Sequence, residues 1–176
     1  MTIAALVLIL FLSLLVLFYT SSSFFSFWRT KVPFVPTPRK DIRLIIQSLN
    51  ITPRHTFFDL GSGTGKVIFL VEELTQAKTK GFELALWAYL WARLKKRFTD
   101  SRALFTHGDF FQADWAEADF LYAYLFPHAM AQVEEKYKRT CKPGTIAIVR
   151  DFPFPKSQPS RILTTPTNHK IFIYQL

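Results

Sequence analysis

Residues 56–66 constrain the fold of this chain more than any other stretch. A short apolar run at 56–60 ends in a glycine-rich turn at 61–65, and a second apolar run follows from Lys66. A strand that leads through such a turn into a helix is typical of a parallel α/β sheet, with the turn at the ligand-binding edge. Glycines there supply positive φ and let the backbone approach a ligand.

The spacing of the glycines separates the ligand classes that use such a turn. A phosphate-binding P-loop needs Ser or Thr after its lysine, and here Val67 follows Lys66. A dinucleotide fingerprint needs G-x-G-x-x-G. Gly61 and Gly63 fit that pattern, but Gly65 arrives one residue early. The spacing therefore disfavours both a P-loop and a nicotinamide oxidoreductase.

The remaining pattern, D-x-G-x-G-x-G, begins at Asp59 and resembles motif I of the class I (seven-strand) S-adenosylmethionine-dependent methyltransferases. The resemblance implies a doubly wound, Rossmann-like α/β fold with S-adenosylmethionine as cofactor. In that family the loop wraps the methionine part and the leading acid binds its amino group. The implied cofactor-binding residues here are Asp59, Gly61, Ser62, Gly63 and Gly65.

Two further sites follow later strands. Glu83 lies about 22 residues after Gly61, where an acid at the tip of the second strand is expected to accept hydrogen bonds from ribose hydroxyls. Nicotinamide enzymes share that feature, so it indicates nucleoside binding only. After the third strand, the resemblance implies that Asp109 contacts the adenine amine and that Phe110 packs against the ring.

Hydrophobic patterning predicts a mostly parallel sheet with an antiparallel C-terminal hairpin. The expected strands are 56–60, 79–84, 102–106, 120–126, 145–149, 161–164 and 170–176, and the expected helices are 37–50, 67–75, 85–98 and 127–140. Thr37 is predicted to cap the first of these helices, with Pro38 in its first turn.

The helix predicted at 85–98 is amphipathic. Its apolar stripe consists of Leu86, Trp87, Leu90, Trp91 and Leu94, and basic residues occupy the rest of its surface. We expect the stripe to pack against the sheet as core, with membrane contact as the alternative.

The N-terminus is apolar from Ile3 to Tyr19, interrupted only by Ser13, and no charge precedes Arg29. About 18 or more apolar residues predict a transmembrane helix. A secretory signal is the alternative, but it would need a charged n-region and a small-residue cleavage site. We therefore expect a single-pass membrane anchor.

Positive charge follows the apolar run closely. The nearby basic residues are Arg29, Lys31, Arg39, Lys40, Arg43 and Arg54. The positive-inside rule then predicts that the rest of the chain lies on the cytoplasmic or mitochondrial matrix side. The net charge of +9 thus has a membrane explanation, and no nucleic-acid motif is visible.

Three regions are expected: a transmembrane anchor at 1–28, a Pro-rich juxtamembrane segment with a leading helix at 29–50, and the methyltransferase domain at 51–176. The prolines at 33–38 exclude regular structure there, so the segment is either a stiff spacer or a lid. Cys141 is alone, and the four histidines are scattered; neither a disulfide nor a metal site is expected.

Several pieces together resemble a narrower family. They are the N-terminal span, the Pro-Phe-Val-Pro-Thr-Pro segment, the glycine loop, Gly-Phe-Glu-Leu at 81–84 and Phe-Pro-Phe-Pro at 152–155. The set is similar to the membrane-anchored protein-lysine methyltransferases of the ATP synthase c subunit and the adenine nucleotide translocase, and to their prokaryotic relatives. The resemblance favours the lid and places Thr37 beside the cofactor. Thr64-Gly65-Lys66, Asp109-Phe110-Phe111 and Asp151 depart from its usual pattern.

The resulting hypothesis is a membrane-anchored methyltransferase that methylates lysine on a membrane protein. A lysine amine has a free pKa of about 10.4 and must lose its proton before transfer; burial beside aromatic side chains lowers that pKa. Tyr124, Phe126 and Phe152 are the candidates for this acceptor wall. The alternatives are a lipid or quinone methyltransferase and a catalytically inactive assembly factor with the same fold.

Overall fold

The computed structural model describes residues 2–30 and 35–176. The helices are α1 (Ile3–Thr30), α2 (Arg39–Ser48), α3 (Lys66–Thr75), α4 (Leu86–Arg97) and α5 (Pro127–Thr140), with a 3₁₀ turn at Phe110–Gln112. The strands are β1 (Thr56–Leu60), β2 (Lys78–Glu83), β3 (Leu104–His107), β4 (Phe120–Ala123), β5 (Ile146–Arg150), β6 (Arg161–Thr164) and β7 (Lys170–Gln175). Part of the expected lid, residues 31–34, lies outside the described residues.

The seven strands form one sheet in the order β3-β2-β1-β4-β5-β7-β6. The first five pair in parallel, and β7 runs antiparallel between β5 and β6. The predicted doubly wound fold is therefore confirmed. Leu60 aligns with Phe82 on one side and with Ala123 on the other, so the carboxyl ends of β1, β2 and β4 share one edge of the sheet.

Helices cover both faces of the sheet, which is why its central strands are almost continuously apolar. All four residues of β4 are buried: Phe120 and Tyr122 pack on the side of α2 and α3, and Leu121 and Ala123 on the side of α5. This closed packing leaves the carboxyl edge as the place where a ligand can enter.

The start of α2 differs from the prediction. The helix begins at Arg39 after Pro38, and no side chain caps it. The Thr37 hydroxyl instead lies 2.8 Å from the hydroxyl of Tyr122 on β4, in a buried hydrogen bond. That bond ties the segment before α2 to the central sheet. Ile42 and Ile45 then pack into the core.

The prediction that the α4 stripe packs as core is wrong for most of its residues. Leu90, Trp91 and Leu94 are 46 %, 58 % and 51 % exposed, whereas Ala88 and Ala92 are fully buried. Small alanines allow close contact between helix and sheet, and the larger apolar side chains are left facing outward.

Helix α1 is 28 residues long, about 42 Å at the rise of an α-helix. The segment Ile3–Ser26 is long and apolar enough to cross a membrane, and the rest of the protein does not bury its most apolar part. Its second half contacts α4. The backbone N–H of Trp87 donates to Ser22 Oγ at 3.2 Å, and the rings of Tyr19 and Trp87 meet edge to face at 4.9 Å.

A buried ion pair joins α2 to β5. Arg150 Nη1 lies 2.9 Å from Asp41 Oδ2, and the two side chains are 1 % and 0 % exposed. The Thr167 hydroxyl donates to the same carboxylate. A second carboxylate, from Asp151, lies 3.6 Å from Arg150 Nε and also contacts His169. This ion pair joins α2 to the sheet, and removal of either partner would leave the other charge buried and uncompensated.

Candidate active site

The glycine loop follows β1 and bends sharply toward β2. Gly61, Gly63 and Gly65 all have positive φ, at 94°, 55° and 78°, a region that other residues enter only with strain. The backbone N–H groups of Gly61 and Ser62 donate to the carbonyl of Phe82 at 3.0 and 2.8 Å. The alternation of glycines is thus the local cause of the turn.

Gly65 has a packing function as well. A Cβ at this position would lie 2.7 Å from Cζ of Phe105 and 2.8 Å from Cε2 of Phe69. Only a residue without a side chain lets α3 start this close to those two rings, whose centroids lie 5.3 Å apart at an interplanar angle of 48°. Unlike the other predicted cofactor residues, Gly65 does not line the cavity described below.

Two carboxyl groups face each other across the loop. Asp59, at the end of β1, is 2 % exposed; burial raises the pKa of its carboxyl well above the ordinary value, and the charge of Glu83 raises it further. Burial also raises the pKa of Glu83, against hydrogen bonds from Ala85 and Gly63 that lower it. Those two N–H groups donate to the two Glu83 oxygens at 2.7 Å each.

We expect Asp59→Asn to stabilise the fold at neutral pH, because the substitution removes the cost of burying a charge. In the unfolded chain the Asp59 carboxyl has a pKa of about 3.9. In the folded protein its pKa is raised, so the carboxyl keeps its proton to a higher pH. The folded state therefore binds more protons between those two values, and the stability of the wild type falls as pH rises through this window.

Thermal unfolding of wild type and Asp59→Asn across the pH range checks this. The two melting temperatures should agree at acid pH and diverge in favour of the variant as pH rises. A wild type that stays the more stable protein at neutral pH would contradict the burial argument.

A cavity of about 620 Å³ opens at this edge of the sheet. Of the twelve residues predicted from the sequence, the following nine line it: Thr37, Asp59, Gly61, Ser62, Gly63, Glu83, Asp109, Phe110 and Tyr124. The Ser62 Oγ is buried there without a hydrogen-bond partner among the described residues. An unsatisfied buried hydroxyl costs free energy, so the cavity carries a polar group ready for a ligand.

Asp109 and Phe110 follow β3, where the adenine side of the site was expected. Asp109 Oδ1 accepts a hydrogen bond from the N–H of Phe111 at 2.9 Å and so caps the short 3₁₀ turn. Phe110 packs against Phe111 with ring centroids 4.5 Å apart. Both predicted residues are held by this turn at the wall of the cavity.

The predicted acceptor wall is only partly assembled at the cavity. Tyr124 lines it, with the guanidinium carbon of Arg150 at 4.8 Å from its ring. Burial is the largest cause that raises the pKa of the Tyr124 hydroxyl, so this group keeps its proton at neutral pH. Phe126 and Phe152 lie outside the lining and pack on each other at 5.7 Å.

Sequence reasoning missed one part of the rim. Tyr19, Ser23 and Ser26 of α1 line the same cavity as the glycine loop, which links the apolar N-terminal helix to the site. Phe111, His128 and Gln132 also contribute. No local sequence pattern predicts these contacts, because they depend on how α1 packs against α4.

The features needed for S-adenosylmethionine are present in the described residues. The turn lets the backbone approach a ligand, Ser62 Oγ lacks a partner, and the Asp59 and Glu83 carboxyl groups lie beside the loop. Carboxylates attract a cationic amino group and accept hydrogen bonds from ribose hydroxyls. The donor set therefore fits this cofactor.

Comparison with known structures shows the same fold. An RNA methyltransferase from Salinibacter ruber, in complex with S-adenosyl-L-homocysteine, superimposes with a TM-score of 0.76 at 23 % identity, over 80 % of this chain and 93 % of that one. A SAM-dependent methyltransferase from Thiobacillus denitrificans, also with S-adenosyl-L-homocysteine, gives a TM-score of 0.58 at 18 % identity, over 72 % and 53 % of the two chains.

Two curated proteins are similar in sequence. A protein-lysine N-methyltransferase of Saccharolobus islandicus is 26 % identical over 154 residues, 81 % of this chain and 92 % of the relative. The adenine nucleotide translocase lysine N-methyltransferase of Mus musculus is 21 % identical over 150 residues, 84 % of this chain but only 65 % of the mouse protein.

The family model described as the ANTKMT methyltransferase domain matches residues 59–161. This segment starts at Asp59, near the end of β1, and ends at Arg161, the first residue of β6. It contains the loop, Glu83, the turn after β3 and Tyr124. The chain belongs to this ANTKMT methyltransferase family, and it is an enzyme that uses S-adenosylmethionine as its methyl donor.

Proposed function

We propose that this protein is a membrane-anchored methyltransferase that methylates lysine on a membrane protein. One observation carries the membrane part of the proposal: α1 supplies Tyr19, Ser23 and Ser26 to the rim of the cavity. About 20 residues cross the hydrocarbon core, so a span that begins at Ile3 ends near Ser22. The mouth of the cavity then lies at the membrane surface.

The basic residues that follow the apolar part of α1 support the orientation. Residues 29–54 carry six Lys and Arg, with Asp41 as the single acidic residue. Such residues remain on the cytoplasmic or matrix side. We therefore place the catalytic part there. The proposed regions are the anchor at 1–28, the juxtamembrane segment and leading helix at 29–50, and the methyltransferase domain at 51–176.

Lysine is the proposed acceptor because both curated relatives are protein-lysine methyltransferases by name, and because the residues after β4 suit it. Enzymes that methylate amide nitrogen or adenine carry an [Asn/Asp]-Pro-Pro-aromatic box there, whereas this chain has Tyr124-Leu125-Phe126-Pro127. Loss of solvent around an amine that is buried among these apolar side chains disfavours its protonated form.

Five of the predicted cofactor residues have a proposed contact with the ligand that their positions at the cavity permit. Bound S-adenosylmethionine supplies an electrophilic methyl group. Asp59 attracts the amino group of the ligand. The hydroxyl of Ser62, which lacks a partner among the described residues, forms a hydrogen bond with the ligand, and Glu83 accepts hydrogen bonds from the ribose hydroxyls. Asp109 and Phe110 hold the adenine.

The remaining contacts concern the acceptor and the lid. Thr37, held by its hydrogen bond to Tyr122, forms the part of the proposed lid that lines the cavity. Tyr124 forms the near acceptor wall, while Phe126 and Phe152 support it from outside the lining. In-line transfer needs positioning above all, so these residues act by orienting the amine and excluding water.

A labelling experiment tests the proposed function. Full-length protein in phospholipid nanodiscs is incubated with radiolabelled S-adenosylmethionine and with membranes from cells that lack the gene. We expect label on lysines of membrane proteins, identified by mass spectrometry, and none with Glu83→Ala. Label confined to lipid or quinone would establish the small-molecule alternative, and no label with intact cofactor binding would favour an inactive assembly factor.

A further inference from the structure

The outward side of α4 carries an exposed apolar patch. Phe98, which directly follows the helix, is 78 % exposed, and Leu90, Trp91 and Leu94 are about half exposed. Large apolar side chains that stand together on a surface mark a site of interaction. We call these four residues the α4 face.

The α4 face continues a stripe that α1 already covers at one end. Trp87, Trp91, Leu94 and Phe98 follow the i, i+4, i+7, i+11 spacing of one helix side. Tyr19 and Ser22 of α1 contact Trp87, and the stripe then extends away from α1 without protein over it among the described residues. Since α1 ends its membrane crossing near this contact, the remainder of the stripe begins at the height of the bilayer surface.

Basic residues flank the α4 face. Helix α4 contains Arg93, Lys95, Lys96 and Arg97 and no Asp or Glu. Within residues 2–30 and 35–176, none of the four forms a salt bridge with a carboxylate. Arg93 instead bonds to the Tyr89 hydroxyl, and Lys95 lies over the ring of Phe69. A helix C-terminus favours cations, but that effect does not account for the exposed aromatic rings beside them.

An apolar stripe with aromatic residues, bordered by Lys and Arg, is the pattern of a helix that lies in a membrane interface. The apolar side chains enter the boundary between headgroups and acyl chains, and the cations contact anionic headgroups. A protein partner would equally cover apolar area, but the excess of positive charge and the contact with α1 favour lipid.

We propose that the α4 face, with Arg93, Lys96 and Arg97, binds the surface of an anionic lipid leaflet. This second contact rests on the proposed anchoring by α1. A single transmembrane helix leaves the tilt of the attached domain toward the bilayer open, whereas α1 and α4 together hold the cavity at a fixed orientation to the bilayer.

Spin labels on the full chain test the proposal. In a Cys141→Ser background, single cysteines replace Leu94 or Phe98 in the α4 face, Leu10 in α1, or Glu135 on the opposite side of the sheet. The protein is reconstituted in vesicles of phosphatidylcholine alone or mixed equally with phosphatidylglycerol. Collision rates with oxygen, which enters lipid, and with a nickel chelate, which stays in water, report the depth of each label.

We expect the oxygen-to-nickel ratio at Leu94 and Phe98 to rise several-fold in the anionic vesicles, while the label at Glu135 stays in water in both. The double variant Lys96→Glu/Arg97→Glu should return the α4 labels to water and leave the Leu10 label in lipid. Retained binding of S-adenosyl-L-homocysteine shows that each labelled protein is folded.

Three outcomes would overturn the inference. Labels in α4 that remain in water while Leu10 lies in lipid would reject the α4 contact and keep the anchor. A Leu10 label in water would reject both. Shielding of α4 in either lipid, with dipolar broadening between labels, would assign the face to a second copy of the chain. Methyltransferase activity, assayed separately, is independent of these results.

Discussion

Replacing Asp41 with asparagine is expected to destabilise the fold by about 3 kcal/mol, because removal of one partner leaves a buried charge uncompensated. The Arg150 guanidinium is 1 % exposed and lies 2.9 Å from the carboxylate that the substitution removes. Asp151 remains at 3.6 Å from Arg150 Nε and limits the loss. Thermal or urea unfolding of the detergent-solubilised chain measures it.

Two controls accompany this variant. Glu135→Gln removes an exposed ion pair with Arg139, whose side chain is 69 % exposed; such a pair contributes about 1 kcal/mol or less. The double variant Asp41→Asn/Arg150→Met removes both buried charges and should regain most of the stability. If Asp41→Asn and Glu135→Gln had the same melting temperature, the buried ion pair would not be holding α2 to the sheet.

Replacing Glu83 with alanine is expected to weaken binding of S-adenosyl-L-homocysteine by about 100-fold. Two charge-assisted hydrogen bonds to ribose hydroxyls, at about 1.5 kcal/mol each, amount to about 3 kcal/mol. Calorimetric titration of the solubilised protein measures the loss. The affinity of Glu83→Gln, which retains one carbonyl oxygen, should fall between those of the wild type and Glu83→Ala.

The same substitution frees the N–H groups of Gly63 and Ala85, which now donate to Glu83 at 2.7 Å. Melting temperatures of the ligand-free proteins separate a distorted loop from a lost ligand contact. Glu73→Ala, on the exposed side of α3, serves as the matched control and should bind as wild type does. Wild-type affinity in Glu83→Ala would remove this residue from the nucleoside site.

The sequence predicts the glycine loop and the succession of strands and helices along the chain well because both depend on local rules. Positive φ at Gly61, Gly63 and Gly65 requires glycine, and the expected strand at 56–60 agrees with β1. The strand at 120–126 is shorter than expected, since β4 ends at Ala123: an apolar run shows burial but not where pairing stops.

Apolar residues in α4 illustrate a second limit. Hydrophobic spacing predicts that one side of the helix is covered, but it does not say by what. Here Ala88 and Ala92 contact the sheet side while Trp91 and Leu94 face outward. An alanine contributes little to a hydropathy pattern, although its small volume is what permits close packing.

Long-range contacts form the third limit. Thr37 bonds to Tyr122, 85 residues later, and Asp41 accepts from Thr167, 126 residues later. Local propensity treats Thr37 as a helix cap and gives no indication of a buried partner for Asp41. Only the assembled sheet brings these partners together, as it does the α1 residues at the cavity rim.

The position of Tyr19, Ser23 and Ser26 at that rim has a consequence for substrate choice. If α1 anchors the protein as proposed, the opening of the cavity stays at one height above the bilayer, and the enzyme selects lysines by their distance from the membrane more than by the neighbouring sequence. Modified sites should then share a depth rather than a consensus. Moving an accepted lysine farther from the bilayer by two helical turns, about 11 Å, is then expected to abolish its methylation even when the residues beside it are unchanged.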